Sequence, residues 1–267
     1  MPRIGLIAGN RKFPIIVAYE AKKKDYSVVA VAIKGETHPK LSNFVEKIYW
    51  LSLDEFSKVF EVFQNEKVTE VVMAGQISPS NLFKPEVRNS PELKSLLDSL
   101  EDKRADKIFG AIAKRLEARG IRVIDSTFLL GEFLPSKGVL TQSQPSFFHW
   151  EDIYLGLSIA KEIAYLDIGQ TVVIKDKAIV AVEALEGTDN LIKRAGKITR
   201  TGAIIIKVSK PAQDMRFDVP VVGLNTIKNL VHVKAAGLAI ESDKTLFIDR
   251  EQSIRLADKK GIWIVAI

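Results

Sequence analysis

Ile4-Gly5-Leu6-Ile7-Ala8, running into Gly9-Asn10-Arg11-Lys12 and then Pro14, is the stretch that decides the fold. The apolar run makes a short strand and the glycine starts a turn. Proline suits the first turn of a helix, where its missing N–H would have no partner anyway. The helix it opens carries Ile15, Ile16, Ala18 and Tyr19. The same pattern then repeats. Val28–Ile33 is a second apolar strand, Lys47-Ile48-Tyr49-Trp50-Leu51 a third, and Val71-Val72-Met73-Ala74 a fourth that stops at Gly75. Ser52 and Glu55 have the spacing of a capping box ahead of Phe56, Val59, Phe60 and Phe63. Strands that are apolar throughout are buried on both faces, and helices between them make the sheet parallel. A long helical region is expected from Ser90-Pro91 to about Arg119, on Leu93, Leu96, Leu97 and Leu100 and then Ile108, Ile112 and Leu116. Gly120 closes it, and Ile121–Ile124 is a further strand.

From Gly131 to Phe148 the character changes. Pro135, Gly138 and Pro145 punctuate a stretch rich in Ser and Gln, which reads as a linker over 131–148 between an N-terminal domain, 1–130, and a C-terminal domain, 149–267. Beyond it a helix over about Glu151–Leu166 leads to Thr171–Ile174. Asp176-Lys177 is a tight turn into Ala178–Val182, making a hairpin. Further strands are expected at Ala203–Ile206, Val219–Gly223, Leu238–Ile240, Thr245–Ile248 and Ile262–Ile267, with helices near 189–196, 226–236 and 250–260.

Composition narrows the function class. The 267 residues are 46% hydrophobic, enough for one large or two modest cores. There is no cysteine, which excludes disulfides and thiolate metal sites. No apolar run approaches the roughly 20 residues of a spanning helix, and the N-terminal stretch is too short for a signal peptide, so cytoplasmic residence is expected. The net charge of +6 favours an anionic partner. The histidines, His38, His149 and His232, form no metal-binding spacing, and no serine lies in a Gly-x-Ser-x-Gly turn.

Candidate chemistry collects at strand ends, where α/β proteins bind ligands. Gly9 and Lys12 in the first strand-to-helix turn suit a phosphate, and Gln76 and Ser78 follow the fourth strand at the same sheet edge. No acidic residue closes the second strand, so a dinucleotide fingerprint is unsupported. In the second half, Glu183 ends an otherwise apolar strand, where an unpaired charge is costly and an acid ordinarily has a cation, a metal or a substrate proton beside it. Glu186, Gly187, Thr188 and Asp189 follow it at a helix start. Lys210, Gln213 and Arg216 precede Asp218, which sits just before the Val219-Pro220 strand. Carboxylates with cations around one loop suit a metal-bridged phosphate.

In combination, Gly5–Gly9, Ala74-Gly75-Gln76-Ile77-Ser78, Leu166–Gln170, Ala181–Asp189, Lys210-Pro211 and Arg216–Pro220 resemble the LpxI family along essentially the whole chain. Asn10-Arg11-Lys12 departs from the glycines usual in that turn. The resemblance implies two α/β domains, the first a Rossmann-like parallel sheet, with the active site between them. It implies a magnesium-dependent UDP-2,3-diacylglucosamine pyrophosphatase of lipid A biosynthesis, in which water attacks the α-phosphate and yields UMP and 2,3-diacylglucosamine 1-phosphate (lipid X). It maps the key acid onto Asp218 and product contacts onto Gln170 and Thr188. The full expected set has Asp218 and Glu183 as catalytic acids and Asp218 and Glu186 as metal ligands. Gly9, Lys12, Gln76, Ser78, Gln170, Gly187, Thr188, Asp189, Lys210, Gln213, Arg216 and Thr226 are the expected substrate contacts. No nucleic acid partner is expected. Peripheral attachment to the inner face of the inner membrane and a possible homodimer are. The competing classes are a nucleotide-cofactor oxidoreductase and a basic, non-enzymatic binding module.

Overall fold

The structure is a computed structural model that describes residues 1–78, 81, 94–95, 98, 105–211, 213–217 and 219–267. The chain divides into two units, Met1–Gly131 with Asp214–Asp218, and Glu132–Gln213 with Val219–Ile267.

In the first unit β1 (Arg3–Ala8), α1 (Phe13–Lys23), β2 (Ser27–Ile33), β3 (Lys47–Leu51), α2 (Lys58–Asn65), β4 (Glu70–Ala74), α3 (Ala105–Glu117) and β5 (Arg122–Val123) follow in order. The strands form a parallel sheet in the order β3-β2-β1-β4-β5. The order of strands changes direction between β1 and β4, the switch point at whose carboxyl ends α/β sheets bind ligands. Alternation sorts the side chains. Val29, Val31, Val71 and Met73 face a core with Phe60 and Phe63 of α2 and Ile112 and Leu116 of α3. On α1, Val17, Ala18 and Ala21 are buried. Val28 to Ile33 are all essentially inaccessible, as a strand covered on both faces requires. Ser52 and Glu55 do form a capping box, but it opens a short 3-10 turn, and α2 begins three residues later. The leucines expected on a helix at 93, 96, 97 and 100 lie outside the described residues.

The second unit holds β6 (Gly138–Val139), α4 (Phe147–Tyr165), β7 (Thr171–Lys175), β8 (Ala178–Val182), α5 (Thr188–Thr199), β9 (Ile204–Lys207), β10 (Val221–Val222), α6 (Leu224–His232), β11 (Gly237–Ile240), β12 (Leu246–Phe247), α7 (Arg250–Lys259) and β13 (Trp263–Ala266). Its main sheet runs β6-β13-β11-β9-β7-β8, and β10 pairs with β12 beside it. β9, β11 and β13 are parallel, whereas β7 is antiparallel to both β9 and β8. One face buries Ile153, Ala160 and Ala164 of α4, and the other buries Leu191, Ile192, Ile227, Leu230 and Ala257 of α5, α6 and α7. The β7–β8 turn has Asp176 and Lys177 at φ of 49° and 61°, as a two-residue hairpin demands. Buried Asp152 of α4 accepts the N–H groups of both at 3.1 and 2.7 Å.

The linker expected over 131–148 is a correction. Gly138 and Val139 pair with β13, the N–H of Leu140 donates to Ile264 O at 2.8 Å, and Thr141 Oγ1 accepts from the N–H of Ile264 at 2.8 Å. Within that stretch Gly138–Val139 is a two-residue edge strand of the second sheet, and Pro135 and Pro145 lie in the irregular segments on either side of it. The crossing that sequence reasoning missed is the return of residues 214–217 to the first unit. Phe217 is 5% exposed in the core of α2 and α3, its ring centroid 5.9 Å from that of Phe109. Ser126 ties the segment down, its N–H donating to Met215 O at 2.9 Å.

Candidate active site

In the first unit the loops after β1 and β4 are joined backbone to backbone. The N–H of Gly9 donates to Ala74 O and that of Asn10 to Gln76 O, each at 2.8 Å. A side chain at position 9 would meet Gln76 O at 2.5 Å, so only glycine permits this closure. Lys12 stands at the N-cap of α1. Ser78 is engaged inside the protein: its N–H and hydroxyl donate to Glu36 at 2.8 and 2.9 Å. Asn10 and Asn81 donate their amides to the same carboxylate at 2.9 and 2.6 Å. Glu36 was missed in the sequence because it lies three residues beyond the last residue of β2. No acid closes β2 itself, and this one beyond it accepts from four donors of its own unit.

In the second unit the candidate residues gather on one sheet edge. Because β7 runs against its neighbours, the start of β7 and the ends of β8 and β9 meet. Thr171 pairs with Lys207 in register, and the N–H of Glu183 donates to Thr171 O at 2.9 Å. Three adjacent strands therefore present Glu183, Thr171 and Lys207 in a row. The Thr188 hydroxyl, in the first turn of α5, donates to Glu183 Oε1 at 2.9 Å, and the N–H of Gln170 reaches Glu183 Oε2 at 3.4 Å. Lys207 Nζ donates to Thr188 Oγ1 at 2.8 Å and to Thr171 Oγ1 at 3.3 Å and stands 3.9 Å from Glu183 Oε2. The Glu183 and Lys207 side chains are 10% and 9% exposed. Lys207 was not singled out in the sequence, although the signal was the one that marked Glu183: a charge ending an apolar strand, Ile204-Ile205-Ile206-Lys207.

Two loops flank this row. Lys210 Nζ pairs with Asp167 at 2.5 Å, and the Lys210–Gln213 turn is closed by the Gln213 side-chain oxygen on the N–H of Lys210. Glu241, after β11, accepts from the N–H and the hydroxyl of Ser209, both at 2.8 Å, and from Lys161 at 2.5 Å. The remaining candidates are spread out. Asp189 accepts from Asn225 and Asn229 at 2.8 and 2.9 Å, tying α5 to α6. Thr226 is buried in the first turn of α6. Gly187 is the N-cap of α5. Glu186 pairs with Arg194 at 2.5 Å. Arg216, in the segment that belongs to the first unit, spends its guanidinium on Asp214 at 2.7 Å and Glu117 at 2.9 Å. Asp218 lies outside the described residues.

Three of the described carboxylates of this region each have a cation beside them. Glu183 stands beside Lys207, Glu186 is held by Arg194, and Asp167 by Lys210. Among the described residues no three acids or histidines are grouped to hold an ion. Glu186, expected as a metal ligand, has its Oε1 2.5 Å from the Arg194 guanidinium.

Two α/β units, with a buried acid–lysine row at one strand edge of the second, define a two-domain α/β protein. The chain belongs to the LpxI family: residues 3–133 match the LpxI N-terminal domain and residues 136–265 the LpxI C-terminal domain. Over its full length it is 28% identical to the UDP-2,3-diacylglucosamine pyrophosphatase LpxI of Caulobacter vibrioides, covering 98% of that protein. Among solved structures it is similar to the biotin carboxylase domain of Hydrogenobacter thermophilus 2-oxoglutarate carboxylase (12% identity, TM-score 0.30, 73% of this chain and 40% of that one). It is also similar to N5-carboxyaminoimidazole synthetase of Staphylococcus aureus (16% identity, TM-score 0.25, 64% and 37%). The chain spans about two fifths of these structures, and likenesses of this size carry no argument.

Proposed function

We propose that this protein hydrolyses the diphosphate of UDP-2,3-diacylglucosamine, giving UMP and 2,3-diacylglucosamine 1-phosphate in lipid A biosynthesis. The observation that carries the reading is the end-to-end match to both LpxI domains and to a relative of that name. In the reaction a water oxygen bonds to the α-phosphorus and the bond from that phosphorus to the bridging oxygen breaks. The bridging oxygen leaves with the β-phosphate on the sugar. The step needs a group that takes or steers the water proton and positive charge near the phosphates. Asp218 and Glu183 are the acids assigned to the first task, and Lys12 and Lys210 are the cations assigned to the second.

Magnesium, which the resemblance implies, would be supplied mostly with oxygen ligands by the diphosphate itself, as is usual for this ion. Asp218 is the candidate protein ligand. The metal would neutralise phosphate charge. We also place the protein in the cytoplasm at the membrane surface. Its net charge of +6 and the 73% exposed Phe147 and Phe148 at the start of α4 support that reading. Among the described residues no helix is long and apolar enough to cross a membrane.

The test is to incubate the pure protein with UDP-2,3-diacylglucosamine in heavy-oxygen water, with magnesium and with chelator. The expected result is label in UMP and none in the lipid phosphate, with turnover lost to the chelator. Label in the lipid phosphate would move the attack to the β-phosphorus, and no UMP at all would sink the assignment. A nicotinamide oxidoreductase is the weaker reading, because Glu36, the acid that would meet a ribose after β2, is already taken by Ser78, Asn10 and Asn81.

A further inference from the structure

Two hydrogen bonds of the Lys207 row have a defined direction, while the Thr171 and Thr188 hydroxyls, 3.4 Å apart, can donate either way between themselves. An ammonium has no lone pair, so Lys207 can only donate, and Thr188 Oγ1 must accept from it at 2.8 Å. The Thr188 hydroxyl has a single proton. An ionised carboxylate can only accept, so that proton goes to Glu183 Oε1 at 2.9 Å. The chain of donation is Lys207 to Thr188 to Glu183, with Thr171 Oγ1 as a second acceptor for the ammonium at 3.3 Å. As a consequence, while this row is intact Thr188 has no hydroxyl proton to offer a substrate.

The same geometry is a weak way to stabilise a fold. Glu183 and Lys207 are both about nine-tenths buried, yet their charges stand 3.9 Å apart, outside hydrogen-bond length. Taking two charges from water is costly, and a contact this long returns little of that cost. β9 is otherwise three isoleucines, so Lys207 is the one charge in an apolar strand.

We infer that Lys207 is a positioning residue for the hydrolysis proposed above: it locks the Thr188 proton onto Glu183 and so fixes the carboxylate as an oriented acceptor at the sheet edge. The inference rests on the hydrolase reading and adds to it a residue that acts through another, with no contact to the reacting atoms.

The experiment is steady-state kinetics on UDP-2,3-diacylglucosamine for the wild type, Lys207→Met, Lys207→Arg, Thr188→Val and the Lys207→Met/Thr188→Val double variant, each checked for fold by circular dichroism. Lys207→Met should lower kcat on the order of 10- to 100-fold with KM within about threefold, the pattern of a lost transition-state interaction. Lys207→Arg, which keeps the charge and the donors, should recover part of kcat. Because Lys207 acts through Thr188, the double variant should lie within about threefold of Thr188→Val alone, since coupled residues are not additive. Losses that multiply, a Lys207→Met enzyme with unchanged kcat, or an effect confined to KM would each overturn the inference while leaving the hydrolase reading intact. If Lys207→Met fails to fold, the arginine variant decides: a folded Lys207→Arg with kcat no higher than that of Thr188→Val overturns it. A wild type that releases no UMP overturns the hydrolase reading, and the inference with it.

Discussion

Gly169 and Glu183 approach so closely that a methyl group at position 169 would stand 2.1 Å from the carbonyl oxygen of Glu183. The next residue, Gln170, sends its N–H toward the Glu183 carboxylate at 3.4 Å. The loop before β7 therefore holds the end of β8, and with it the acid, by a backbone contact that no side chain can share. Backbone cannot yield as a flexible side-chain tip would, so Gly169→Ala must displace Glu183. The expected result is a loss of about 1–3 kcal/mol in stability, the usual range for overpacking, together with a fall in turnover larger than in KM. Calorimetry and UMP release measure the two. An alanine variant with wild-type turnover would show that the Glu183 end of β8 has no part in the reaction.

Phe217 belongs by sequence to the region of Lys210 and Gln213, yet it fills the core of α2 and α3 and is 5% exposed. Phe217→Ala should destabilise the first unit by about 3–5 kcal/mol, the usual range for emptying a buried phenylalanine site. Hydrogen exchange should report the change in β1, β4 and α3, with the sheet around β9 and β11 unaffected. Equal loosening of both units would contradict the assignment of residues 214–217 to the first.

Glu241 sets an acid limit on stability. Burial opposes its ionisation, but Lys161, the N–H and hydroxyl of Ser209 and Lys244 together outweigh burial and bring the carboxyl from its ordinary 4.5 down to about 2. A carboxyl with a depressed folded-state value contributes stability above its unfolded value and loses it as pH falls toward the folded one. The contribution is thus whole above about pH 4.5 and fades toward about pH 2. Glu241→Gln should cost about 1–3 kcal/mol near neutrality and progressively less as the medium is acidified through that window. Urea titrations of both proteins at neutral pH and in the acid window measure the gap. A gap that stays constant on acidification would mean that the carboxylate charge is not what holds the Ser209 loop.

Asp218 precedes the Val219-Pro220 pair directly. Asp218→Ala should fold and bind the lipid nucleotide and lose on the order of 100- to 1000-fold in rate, the cost of one oriented electrostatic group. Isothermal titration and single-turnover assays separate binding from chemistry. Turnover within about threefold of wild type would remove this acid from the mechanism.

Docking to an anionic leaflet should combine long-range charge with the exposed Phe147–Phe148 pair. Each surface cation adds about 1 kcal/mol near such a leaflet, and that attraction is screened by salt. Flotation with anionic vesicles should therefore weaken as salt rises, and weaken further for Phe147→Ser/Phe148→Ser. Binding indifferent to both would locate the contact elsewhere.

Local pattern carried the elements. Unbroken apolar runs such as Val28–Ile33 announce a strand covered on both faces, and a two-residue break at Asp176-Lys177 announces a hairpin, because burial and turn geometry act over a few residues. The same logic marked Glu183, an acid where a strand end should have been apolar. What the sequence could not carry was pairing over distance. Gly138 and Val139 read as linker because the strand that pairs with them, β13, lies more than a hundred residues on. Glu36 passed unnoticed because its four donors come from positions 10, 78 and 81. Lys207 became part of the site only when antiparallel β7 brought the ends of β8 and β9 to one edge. Phe217 changed units because the apolar slot that fits it is assembled from α2 and α3. Sequence by itself determined which segments are strands and helices and which residues are costly where they stand; the tertiary structure decided which of those residues meet, since a charge finds its partner only through the sheet order that places the two side by side.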